Sequence, residues 1–155
     1  MTEFRGRAAG DGLRVCIVVS RFNLLVTERL LDGARETLLE RGVAEADLDV
    51  VYVPGAWELA AAARAAVDRG YDAIVAVGAV IRGETAHFEH VSHAAMDGLA
   101  RVQRETGVPI GLGLLTPENM AQAMARAGGE VGNAGVQAAE AALDMANLLR
   151  RLRGG

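Results

Sequence analysis

Four runs of the chain are apolar almost without interruption: Leu13–Ser20, Leu48–Val53, Ala73–Ile81 and Ile110–Leu115. A strand covered on one face alternates apolar and polar residues, whereas a strand covered on both faces does not. None of the runs approaches the ~20 apolar residues of a membrane span. The four runs therefore predict the strands of a parallel sheet with helices on both sides.

The intervening segments supply those helices. Thr27–Arg41 sets Leu30, Leu31, Ala34 and Leu38 along one side and stops at Gly42. Trp57–Arg69 is alanine-rich and stops at Gly70, and Thr85–Glu105 stops at Gly107. A glycine just past a helix accepts the left-handed conformation that ends it. Thr116-Pro117-Glu118 offers a cap, a first-turn proline and a first-turn acid for a helix reaching about Arg126. Gly128-Gly129 stops it, and Asn133 opens a last helix to about Leu152. This order predicts a doubly wound, three-layer α/β sandwich with right-handed crossovers. No linker or repeat divides the chain, so 1–155 reads as one domain. Residues 1–12 form an arm that either extends along a neighbour's sheet edge or moves freely.

Composition narrows the class. A hydrophobic content of 51% against 23% charged residues excludes a disordered chain. The net charge of −4 weighs against nucleic acid as the main partner. Arg150, Arg151 and Arg153 complement the carbonyl end of the last helix. Cys16 is the only cysteine, so no intrachain disulfide forms, and its apolar run marks it as core in a reducing compartment. The opening stretch MTEFRGRAAGDG has no apolar segment of signal-peptide length. Together these features predict a soluble cytoplasmic protein.

The last helix is apolar over a broad arc. Ala138, Ala142, Met145, Leu149 and Leu152 make one row, and Val136, Ala139, Leu143 and Ala146 make another beside it. The two rows cover roughly 200°, more than one core face usually needs. Either the helix is sunk deep in its own domain or it also packs on another subunit. The second reading is favoured, because a terminal helix on a small sheet has few internal surfaces left to cover.

Ligands of doubly wound sheets gather beyond the carboxyl ends of the strands. Four segments lie there: Ser20-Arg21-Phe22-Asn23, Pro54-Gly55-Ala56-Trp57-Glu58, Arg82–His87 and Thr116-Pro117. Gly83 lets the backbone turn where a side chain would obstruct. Glu84 and Thr85 begin a helix whose first N–H groups lack internal partners, an arrangement that attracts phosphate. An ordinary capped helix start fits these residues as well. His87 stands in the first turn, placed to exchange protons near neutral pH. His90 and His93 follow at i+3 and i+6, but no Asp, Cys or fourth His recurs at ligand spacing, so no metal site is expected. Phe22 and Trp57 are two of a small aromatic set, and both sit just past strand ends, where a flat ring can stack. Packing at the rim is the competing account for each alone. Glu58 binds hydroxyls or serves the helix dipole, and Arg126 clamps a phosphate or caps its own helix.

Taken together, Ser20-Arg21-Phe22-Asn23, Val53-Pro54-Gly55-Ala56-Trp57-Glu58, Gly78-Ala79-Val80-Ile81-Arg82-Gly83-Glu84-Thr85 with His87-Phe88, Leu115-Thr116-Pro117-Glu118-Asn119 and Arg126-Ala127-Gly128 closely resemble the lumazine synthase family. The resemblance runs from about Leu13 to Leu149. It implies a flavodoxin-like fold, with an N-terminal strand that can pair with a neighbouring subunit. It also implies the condensation of 5-amino-6-(D-ribitylamino)uracil with 3,4-dihydroxy-2-butanone 4-phosphate, without cofactor or metal. By similarity, Phe22 stacks on the pyrimidinedione, and Ala56, Trp57 and Glu58 line the site, with Glu58 on the ribityl hydroxyls. Ala79, Val80 and Ile81 offer backbone groups to the uracil. Glu84 and Thr85 hold the phosphate-bearing substrate, and His87 transfers protons. Leu112 and Arg126 come from the adjacent subunit, Arg126 to the phosphate. The implied assembly is a homo-oligomeric pentamer. The short Gly128–Asn133 turn favours its closure into a 60-subunit icosahedral shell, and association with riboflavin synthase is left open.

Four positions depart from the common pattern. Leu112 stands where an aromatic is often found, and Ala134 where a lysine near the phosphate is frequent. Glu89-His90 replaces an Asp-Tyr pair, and Ala60 replaces a proline. Weaker substrate binding is the expected effect. Two other classes compete: a flavin- or lumazine-storage protein on the same fold, and a flavodoxin-like regulator. Storage needs neither His87 nor Arg126, and no acidic receiver-type cluster lies at the strand ends.

Overall fold

Val15–Ser20 (β1), Leu48–Val53 (β2), Ala73–Ala79 (β3) and Ile110–Leu115 (β4) form one sheet in the order β2-β1-β3-β4. The computed structural model describes residues 1–154. All three pairings are parallel, with Val15 opposite both Leu48 and Ala73, and Ile74 opposite Ile110. The helices are Leu24–Glu40 (α1), Leu59–Val67 (α2), His87–Thr106 (α3), Met120–Ala125 (α4) and Ala134–Leu152 (α5). The chain is thus a three-layer α/β sandwich of flavodoxin-like type.

Alternation along β1 divides the core between two layers. Val15, Ile17 and Val19 pack with Leu30, Leu38 and Leu143 beneath α1 and α5. Cys16 and Val18 pack with Leu59, Ala63 and Leu99 beneath α2 and α3. Each fully buried aliphatic side chain contributes roughly 1.5–3 kcal/mol. The α5 helix lies close against β4: a Cβ at Gly111 would run into the carbonyl of Ala138. Alanines on the facing side of α5 serve the same approach.

The structure corrects several expectations. β2 is only partly covered, with Val53 its one buried residue. It lies at the edge of the sheet, and Tyr52 remains 54% exposed. β3 ends at Ala79, two residues earlier than predicted. A 3-10 turn, Ala56–Glu58, precedes α2, so Trp57 is outside the α-helix. The cap of α4 is Asn119, whose side chain accepts from the Gln122 N–H at 2.9 Å, rather than Thr116. Ala127–Gly129 (β5) and Gly132–Asn133 (β6) pair antiparallel, which turns a predicted turn into a small hairpin. On α5 the buried stripe is Ala138, Ala139, Ala142, Leu143 and Ala146, while Met145 and Leu152 stay exposed.

Residues 1–12 contain neither strand nor helix. They are held on α5 of their own chain: Asn147 donates to the carbonyls of Arg7 and Ala9, and Arg151 to that of Arg5. No helix among the described residues is long and apolar enough to cross a membrane.

Candidate active site

Strand order fixes where a cleft can open. From β1 the chain crosses to β2 on one side, and from β2 to β3 on the other side of β1. Helices leaving β1 and β3 must diverge to opposite faces, so a crevice opens at their carboxyl ends. A cleft of about 480 Å³ occupies that place. Nine of the predicted site residues line it: Phe22, Ala56, Trp57, Glu58, Ala79, Val80, Ile81, Thr85 and His87.

Backbone hydrogen bonds carry the sheet a little past its strands and set the cleft walls. The N–H of Arg21 donates to the Val53 carbonyl at 2.8 Å, and that of Phe22 to Pro54 at 3.0 Å. These bonds lift the Phe22 ring outward, where it is 72% exposed. Asn23 then adopts the left-handed conformation, φ 65° and ψ 51°, the only non-glycine residue to do so among those described. Its carbonyl receives the N–H groups of Val26 and Thr27 and starts α1. Its side-chain amide donates across the crevice to the Ala79 carbonyl at 3.1 Å.

On the other wall, the Val80 N–H donates to Leu115 at 2.8 Å and the Arg82 N–H to Pro117 at 3.0 Å. The chain stays extended here, so successive residues present their backbone groups to opposite sides. Val80 has its N–H engaged with β4. Ile81, between the two bonded residues, presents its own polar groups towards the cleft.

The second aromatic, Trp57, is 67% exposed on the 3-10 turn. Beside it, Oε2 of Glu58 is buried and has no hydrogen-bond partner. A buried carboxylate oxygen without a donor is costly, and this one belongs to a cleft-lining residue. A donor arriving with a ligand or solvent removes the penalty.

The turn between β3 and α3 is exposed and brings a hydroxyl and an imidazole to the cleft. The helix begins at His87, two residues later than predicted, and the Thr85 hydroxyl accepts the His87 N–H at 3.3 Å. That hydroxyl keeps its own proton to donate. No protein atom lies within 4 Å of where a Cβ on Gly83 would stand, so this chain does not itself demand glycine there. Glu84 is exposed and does not line the cleft. Asn23, Phe88, His90 and Val91 line it without having been singled out for it. Asn23 carried a signal, since asparagine is the usual non-glycine residue at a left-handed turn. His90 was weighed only as a metal ligand. Among the described residues no group of three or more His, Cys, Asp or Glu gathers at metal-binding geometry.

Leu112 and Arg126 lie elsewhere. They line a separate groove of about 220 Å³ with Val131, Ala134 and Gln137, along β4 and the hairpin. No residue is common to the two linings. Leu112 and Val131 are 50% and 57% exposed there, and Arg126 makes no ion pair among the described residues.

The family model for 6,7-dimethyl-8-ribityllumazine synthase matches residues 12–150. The chain belongs to that family. A relative from Anaeromyxobacter dehalogenans (strain 2CP-C), itself named 6,7-dimethyl-8-ribityllumazine synthase, is 49% identical over 153 residues, which cover 98% of this chain and 94% of the relative. The match includes every segment that builds the cleft and the separate Leu112–Arg126 groove.

Proposed function

We propose that this transferase condenses 5-amino-6-(D-ribitylamino)uracil with 3,4-dihydroxy-2-butanone 4-phosphate. The products are 6,7-dimethyl-8-ribityllumazine, phosphate and water, in the penultimate step of riboflavin synthesis. The observation that carries the assignment is the cleft of a family member in which exposed Phe22, the unpartnered Glu58 oxygen and His87 meet at the crevice between β1 and β3.

Phe22 stacks on the pyrimidinedione, and Trp57 and Ala56 border it. The ribityl hydroxyls donate to Glu58. The free backbone edge at Ile81 reads the uracil, with Ala79 and Val80 forming the floor. The phosphate-bearing substrate lies at the Gly83–Thr85 turn, where Thr85 donates and Gly83 leaves space for it. Glu84 belongs to this turn as a wall outside the cleft.

The amine attacks the ketone to give an imine, phosphate leaves, the enol rearranges and the second nitrogen closes the ring. Each step moves protons and needs no electron carrier. Holding both substrates in reactive geometry supplies much of the rate. His87 as acid and base adds a typical ~10²–10⁴-fold. N–H groups and a guanidinium stabilise the departing phosphate.

That guanidinium is Arg126 of an adjacent protomer, which also brings Leu112 over the open face of the ring. Two unshared half-sites on one chain favour a head-to-tail contact, which closes into a ring when the rotation permits. We assign a pentamer. The short β5–β6 hairpin favours further closure into the icosahedral shell, with riboflavin synthase as a candidate guest. The single buried thiol of Cys16 fits the cytoplasm.

The assay mixes purified protein with both substrates and follows lumazine absorbance. Turnover that falls at least 100-fold in His87→Ala, with ligand affinity largely retained, supports the assignment. Binding of lumazine without turnover in the unaltered chain would make it a storage protein instead.

A further inference from the structure

Arg82 is the most connected side chain of the turn that carries the chemistry. Its Nε lies 3.6 Å from Oε2 of Glu118, and its Nη2 3.7 Å from Oε1 of Glu89. The guanidinium carbon stands 5.7 Å from the centre of the Phe88 ring, and the backbone N–H bonds Pro117. From the turn after β3, one cation thus reaches two other pieces of chain: the first turn of α3 and the segment leading into α4.

The turn has little else to hold it. Residues 82–87 are all exposed, and Gly83 has open space around it. The remaining side-chain tie is the long Thr85–His87 capping bond. A planar guanidinium set between two carboxylates and a ring offers a stacking surface that a lysine lacks.

We propose that Arg82 is a positioning residue, a strut that sets the Gly83–Thr85 turn and His87 relative to the cleft floor by bracing them on Glu118 and Glu89. It holds the phosphate-binding turn without binding phosphate itself. The strut also joins a protomer's own cleft to the segment that ends in Arg126, a consequence that rests on the proposed function.

The test uses the full-length assembly with Arg82→Gln, Glu118→Gln, the double variant and Arg82→Lys. One exposed ion pair supports an effect of about 1.4- to five-fold. The KM for the butanone phosphate is therefore expected to rise by about that factor in each single glutamine variant. The double variant should be no worse than Arg82→Gln, since both changes remove one strut. Arg82→Lys should recover only part of the loss. Hydrogen exchange of the bonded amides that frame the turn, Arg82 to Pro117, His87 to the Thr85 hydroxyl and His90 to Ala86, should quicken in both single variants, and this readout does not depend on turnover. If Arg82 were instead a phosphate ligand, Arg82→Gln would raise KM, while Glu118→Gln would lower it or leave it alone. That pattern, or unchanged exchange in both single variants, overturns the strut. Absence of lumazine formation in the unaltered protein would sink the functional assignment and leave the exchange result to decide the strut.

Discussion

The side-chain amide of Asn23 donates to the Ala79 carbonyl at 3.1 Å, and the bond spans the crevice between β1 and β3. The same residue turns the chain left-handed so that α1 can start. Two requirements meet in one side chain: tolerance of positive φ and a donor of the right length.

Substitution at Asn23 separates them. Asn23→Gly keeps the turn and loses the bond, and Asn23→Ala loses both. The order of thermal stability is expected to be wild type, then glycine, then alanine, with alanine about 1–3 kcal/mol down. Differential scanning calorimetry reads the order. Alanine melting at or above glycine would show that the left-handed turn carries no strain.

Glu58 presents a buried oxygen to which no protein group donates. Glu58→Leu should therefore leave stability unchanged or raised while weakening the ribityl substrate. Loss of hydrogen bonds to a charged acceptor corresponds to about a ten-fold or greater rise in KM for the uracil. Parallel melting curves and steady-state kinetics check both halves. A variant that loses stability and keeps its KM would make Glu58 a structural acid.

The parallel sheet was legible because both-face burial leaves an uninterrupted apolar signature, as in β1 and β3. β2 reads the same way yet is half-covered, because its edge position depends on strand order and not on its own residues. Thr116 and Asn119 are equally good caps by composition. The Arg82–Pro117 bond holds the chain extended past Thr116, so the helix starts later. The β5–β6 hairpin is too short and glycine-rich for a period-2 pattern to show. At the site, topology pointed to the residues flanking strand ends that line the cleft, whereas spacing does not reveal that the exposed Glu84 side chain lies outside that lining. Leu112 and Arg126 were placed on a neighbour by the family resemblance alone. Their separate groove has no local sequence sign.

Cys16 supplies a pH dependence remote from the site. Burial, with Asp49 adding to it and Arg69 opposing, pushes the thiol up to about 11 from an ordinary value near 9. The folded chain holds its proton where the unfolded chain has lost it. This contribution is full below about pH 9 and is lost as pH rises towards 11. The melting temperature should fall between those values, and Cys16→Ala should fall less over the same interval. Equal slopes for the two proteins would remove Cys16 from the account.

Separate linings for His87 and Arg126 make a test by mixing possible. On the proposed function, His87→Ala spoils a protomer's own cleft, whereas Arg126→Ala spoils the cleft next to it. Either variant alone is expected to be nearly inactive. When the two are unfolded together and reassembled in equal amounts, some clefts take His87 from one protomer and Arg126 from its neighbour. Random placement round a head-to-tail ring gives about a quarter of wild-type activity. Sites completed within one protomer would never recover, because every chain carries one lesion. Lumazine formation before and after co-assembly reads the difference, and failure of the mixed rings to regain activity would place Arg126 in its own protomer's cleft or outside the site altogether.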